Sequence, residues 1–126
     1  MLYTECKIGN TVFYLLYNGY AFFDVMEKVG ENPQKAILEA NKEGFAALCK
    51  VFTTLAVCGE LSRRQEGYDK GLLLTEERCK MLLSIRDIPV ARSACMEAMI
   101  NGFKTESDPD EIVDEVLMEL EKKTSD

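Results

Sequence analysis

The spacing of hydrophobic residues changes period along the chain, and each change marks an element. Residues 2–8 and 11–16 are two runs rich in β-branched and aromatic side chains, separated by Gly9-Asn10. That arrangement predicts a β-hairpin, because glycine takes the positive φ that a two-residue turn demands. A lone hairpin is marginal in water, so it must lean on the helices beyond it. From Asn18 the spacing becomes helical, with Phe22, Met26 and Val29 on one side, Phe23 alongside, Asn18 as N-cap and Gly30 as the stop. Asn32-Pro33 starts a second, short helix with Ala36, Ile37 and Ala40 inward and an end near Gly44.

Residues 45–61 are apolar on almost every side, which places this helix at the centre of a domain, with Ser62-Arg63-Arg64 as its exit into solvent. Gly67 and Gly71 then bracket a loop whose Leu72-Leu73-Leu74 run is expected to pack back on the core. Thr75 caps a fourth helix, with Glu76 and Glu77 at its positive end and Met81, Leu82 and Ile85 as its inner side. Asp87-Ile88-Pro89 begins a fifth, which carries Val90, Ala91, Ala94, Cys95, Ala98 and Met99 as far as Gly102.

Residues 104–107 are polar and aperiodic and read as a linker. Beyond them Asp108, Pro109 and Glu111 stand at the N-cap, first and third positions of a last helix, in capping-box spacing. Its apolar stripe is Ile112, Val113, Val116, Leu117 and Leu120, and the other face is nearly all acidic. The pattern as a whole predicts a mainly α fold, an N-terminal β-hairpin followed by a bundle of about five or six helices. Residues 1–104 form the hairpin and helical body, and residues 105–126 the linker and acidic amphipathic helix.

Composition narrows the chemistry. With 126 residues, 47% hydrophobic and 29% charged, the chain fits one folded domain that buries about two-thirds of its unfolded surface. No basic segment precedes an apolar run at the N-terminus, so no secretory signal is expected and the mature protein is expected to start at Met1. The apolar stretch 45–58 is shorter than the roughly 20 residues of a membrane span and is interrupted by Lys50, so a soluble, cytoplasmic protein is expected. The 5 cysteines are odd in number and none forms a C-x-x-C pair, which predicts free thiols in a reducing compartment. The chain has 0 histidines, which removes His-based acid-base chemistry, Ser-His and Cys-His nucleophiles and most zinc sites.

Charge is uneven. Of the 22 acidic and 15 basic residues, 9 and 2 lie in residues 105–126, so the whole net charge of -7 sits there on a neutral body. A neutral body with an acidic tail offers no footprint for a phosphate backbone, and nucleic acid is not expected as a partner. Cys49 and Cys58 are 9 residues apart on one helix, hence about 13 Å apart along its axis, too far to share a metal. The acidic pairs Glu76-Glu77 and Asp110-Glu111 sit where helix starts favour negative charge, and Arg63-Arg64 is a charged helix exit. Neither phosphate-loop pattern occurs. No catalytic, cofactor-binding or metal-binding residue is therefore expected. Met96 and Met99, with Ile100, are either core or an adaptable apolar surface. The stripe Ile112 to Leu120 either docks on its own domain or lies in another protein's groove, and a second copy of the chain is a further partner to consider.

The order of elements, and most of all the aromatic-rich helix Tyr17-Asn18-Gly19-Tyr20-Ala21-Phe22-Phe23-Asp24-Val25-Met26-Glu27-Lys28-Val29-Gly30, resembles the tail assembly chaperones of long-tailed bacteriophages and prophages. The resemblance covers residues 1–104. It implies a non-enzymatic protein, working in the cytoplasm of a bacterial host, that binds the tape measure protein during tail assembly and has no catalytic residues to carry over. It also implies a longer product made by frameshifting near the end of the reading frame, where Glu121-Lys122-Lys123 fits an adenine run; equally, those lysines suit the negative end of a helix. Two other readings stay open. One is a small structural or connector component of a virion. The other is a thiol-dependent enzyme or regulatory subunit.

Overall fold

The computed structural model describes residues 2–104. The expected linker and last helix, with Ile112, Val113, Val116, Leu117 and Leu120, lie outside the described residues. The hairpin pairs β1 (Thr4–Ile8) with β2 (Thr11–Leu15), antiparallel, with Ile8 opposite Thr11 and Cys6 opposite Phe13. Gly9 has φ +60°, and among the described residues no residue type other than glycine has positive φ, the pattern of a turn that needs glycine at its first central position. Cys6, Ile8, Phe13 and Leu15 face inward, and Glu5 and Lys7 face water. The alternation therefore lays one side of the ribbon on the helices.

Five helices follow: α1 (Gly19–Val29), α2 (Pro33–Leu38), α3 (Lys42–Gln65), α4 (Glu76–Leu82) and α5 (Asp87–Asn101). Their starts are set by local hydrogen bonds. Asn18, Asn32, Asn41 and Thr75 each accept from a backbone N–H three residues on, at 2.8–3.2 Å. Ser84 and Asp87 make a reciprocal capping pair before α5, each accepting from the other's backbone N–H. That pair holds the Asp87 carboxyl below its usual range, chiefly through the Ser84 N–H.

α3 is the axis of the fold, with β2, α1, α2, α4 and α5 all packed against it. It is 24 residues long and apolar enough to cross a membrane by length and composition, but 67% of its apolar 18-residue stretch is buried inside the domain. Its apolar surface is already used. Leu48, Val51, Phe52 and Leu55 are fully buried on it, and the Phe13 ring meets Phe52 edge-on at 5.4 Å. Buried Thr54 donates to the Asp24 carboxylate at 3.2 Å, and Asp24 pairs with Lys28 at 2.8 Å. The hydrogen bonds keep that polar group from opposing burial.

Three sequence expectations are corrected. The second helix does not run to Gly44 but stops at Leu38; Gly44 lies in the first turn of α3, capped by Asn41, where its missing side chain lets the Glu39 carbonyl sit against it. In α1 the buried positions are Ala21 and Val25, with Phe22, Met26 and Val29 half-buried and Phe23 69% exposed. The bond from Thr54 to Asp24 fixes this rotation, since Ala21, Asp24, Val25 and Lys28 then share the face toward α3. In α4 the inward residue is Cys79, followed by Leu83 just past its end, while Met81 is 88% and Ile85 87% exposed.

Candidate partner-binding surface

The loop after α3 and the short α4 together build an apolar groove. Its position is set by Arg63 and Glu60. The Arg63 guanidinium lies 3.7 Å from the Tyr14 ring centroid and 4.0 Å from that of Tyr68, so it joins the hairpin to the loop through two aromatic faces. The Glu60 carboxylate pairs with Arg64 and accepts the Gly71 N–H at 2.7 Å. Burial pushes the Glu60 carboxyl up, but the bonds from Gly71 and Arg64 outweigh it and leave it below its usual range. With Gly71 held, Leu74 reaches the core, while Leu72 and Leu73 stay largely in solvent. The leucine run thus packs back through one residue of three.

Thr75 caps α4 immediately afterwards, and Cys79 and Leu83, four apart, turn inward. The opposite consequence is that Met81 and Leu82 point outward beside Leu72. The groove between them has a volume of about 460 Å³ and is lined by Leu72, Leu74, Glu77, Arg78, Met81 and Leu82. Four of the six are apolar. Arg78 supplies a cation on its wall, and Lys80 and Arg86 are exposed nearby in sequence. A smaller cavity of about 180 Å³ lies between the hairpin and the same loop, but its Glu60 and Arg63 are already bound to their own neighbours.

Sequence reasoning named Met96 and Met99 as partner-binding candidates. Met99 is 1% exposed and belongs to the core, Met96 is half-buried against it, and Ile100 is exposed. The groove residues were missed because Met81, Leu82 and Ile85 and the pair Cys79–Leu83 are two competing helical stripes. The signal that separates them is the cysteine, one of the residue types most often buried.

The thiols are all inside. Cys6, Cys49, Cys58, Cys79 and Cys95 are free and buried. Burial, with the Asp87 carboxylate, pushes Cys6 up to about 11, and burial also raises Cys58 and Cys95. The Cys49 and Cys79 thiols interact with one another, which raises Cys79 and lowers Cys49. Cys49 is nonetheless fully enclosed between α3 and α4, where reagents do not reach it. Among the described residues no group of three or more His, Cys, Asp or Glu is placed to hold a metal ion. At neutral pH the native protein is expected to react with iodoacetamide only slowly at every cysteine, and at all five once denatured. One thiol alkylated within minutes in the native state would favour the thiol-enzyme reading.

The fold is that of a mainly helical domain, five described helices behind a two-stranded antiparallel hairpin. No family model matches this chain, and no curated protein or solved structure matches it.

Proposed function

We propose that this chain is a non-enzymatic protein-binding protein, a tail assembly chaperone that holds an apolar segment of the tape measure protein during phage tail assembly. The observation that carries the reading is the groove of Leu72, Leu74, Met81 and Leu82, with Met81 turned almost wholly to solvent. Water-facing methionine is costly to leave exposed and adapts to varied apolar partners. The enclosed thiols support binding over thiol chemistry, and the order of hairpin and helices is compatible with the family resemblance.

The experiment is co-purification with the tape measure protein expressed from the same phage or prophage. A fully buried apolar side chain contributes about 1.5–3 kcal/mol, so Met81→Glu with Ile85→Glu, which removes two, should weaken binding by about two to four orders of magnitude. Both residues are exposed, so the helical circular dichroism should not change. Unaltered capture by the double variant would overturn the groove as the binding surface.

A further inference from the structure

We propose that the groove of Leu72, Leu74, Met81 and Leu82 is covered in the free protein by a second copy of this chain, the two α4 helices lying antiparallel across a two-fold axis near Met81. The inference rests on the reading of that groove as a docking surface and names its occupant while no other partner is bound.

Apolar exposure is greatest here. Met81 and Ile85, four residues apart, are the two most exposed large hydrophobic residues among those described, and Leu72 and Leu82 are exposed in the same groove. A two-fold contact asks that such a surface complement itself: if residue i of one copy meets j of the other, j also meets i. Apolar side chains near the axis satisfy that by meeting their own counterparts.

The charges satisfy it in one orientation only. Residues 76–87 set Glu76, Glu77 and Asp87 against Arg78, Lys80 and Arg86, so the surface is neutral and two copies do not repel across it. Asp87 is engaged by Ser84, and Glu76 acts on Lys28 of α1. That leaves exposed Glu77 four residues before Met81 and exposed Arg86 five after it. Antiparallel, each Glu77 comes opposite the Arg86 end of the other copy, while Arg78 and Lys80 fall roughly opposite positions 84 and 82. Parallel, Glu77 would meet Glu77 and every cation would meet itself. A segment of one charge sign, by contrast, finds Glu77 and Arg78 side by side on the groove wall, so charge favours it less than a reversed copy. The tape measure segment then competes with the second copy for one surface.

Sedimentation velocity on the full chain from about 1 to 500 μM tests the proposal. About 0.15 M salt screens the repulsion between two chains of net charge -7 beyond about 8 Å. The expected result is a monomer–dimer equilibrium in the micromolar range, as befits a small interface. Met81→Glu should weaken it by about a hundredfold or more, because the side chain is lost from both copies, with the helical circular dichroism unchanged. Glu77→Arg and Arg86→Glu should each weaken it by roughly tenfold, and the two reversals together should restore it. A monomer throughout, assemblies that grow beyond the dimer, a dimer lost in Phe23→Glu but not in Met81→Glu, or reversals that do not rescue one another would each overturn it. The functional reading fails separately. If the chain stays monomeric while Met81→Glu with Ile85→Glu loses tape measure capture, the groove binds partners and the second copy is wrong. If the dimer behaves as expected and capture ignores Met81, the second copy stands and the tape measure surface lies elsewhere.

Discussion

Phe52→Ala is expected to destabilise the protein by about 3–5 kcal/mol, the usual cost of deleting a fully buried aromatic ring. Phe52 is fully enclosed near the middle of α3, and its ring meets Phe13 from β2, so the cavity would open where helix and hairpin join. For a domain of this size each kcal/mol moves the melting temperature by about 4–8 °C, so the loss should be about 12–40 °C. Small domains hold only about 5–15 kcal/mol in total, and a large share of that would go. Thermal denaturation followed by circular dichroism at 222 nm, a standard helix wavelength, measures it, with Phe103→Ala, a more exposed ring, as the control expected to change little. A shift of only a few degrees would mean that the hairpin does not pack on α3 as described.

Gly59→Ala is also expected to destabilise the protein, by less than Phe52→Ala and for the opposite reason, too much matter instead of too little. Gly59 is buried on α3 directly beneath the Tyr14 carbonyl of β2, and a methyl group there would collide with that carbonyl oxygen. Backbone cannot swing aside as a side chain can. The strand would have to lift, straining the neighbouring Leu16 N–H bond to the Leu55 carbonyl at 3.1 Å. Overpacking a tight site costs about 1–3 kcal/mol or more, although alanine is otherwise the better helix former by about 1 kcal/mol. Gly19→Ala is the control, because nothing stands within 4 Å of a side chain added there. A Gly59→Ala protein as stable as the parent would contradict the close approach of α3 and β2. Hydrogen exchange of the hairpin amides would locate the damage, since β2 should lose protection before α1 does.

Both predictions concern the junction of α3 with the hairpin, and the sequence anticipated each partner but not the contact. The apolar run 45–61 announced a central helix, and Gly9-Asn10 announced the hairpin. That Gly59 admits a strand was not legible, because a glycine inside a helical pattern reads locally as a weakness. Its use becomes visible only when a second backbone lies on top of it. The groove was hidden in the same manner: Met81, Leu82 and Ile85 satisfy the helical period as well as Cys79 and Leu83 do.

What the sequence determined by itself is the set of elements whose causes are local. The two-residue turn follows from Gly9, and the starts of α1, α2 and α4 follow from Asn18, Asn32 and Thr75, each bonding to a backbone N–H three residues on. Such contacts close within one turn and need no tertiary partner. Tertiary structure decided which side of each helix turns inward and where α2 stops. Asp24 finds Thr54 and rotates α1, Cys79 meets Cys49 and turns Met81 to solvent, and Glu39 against Gly44 divides α2 from α3. A helix with more than one apolar stripe can bury any of them, and only the shape and hydrogen-bonding groups of the neighbour it packs on select one.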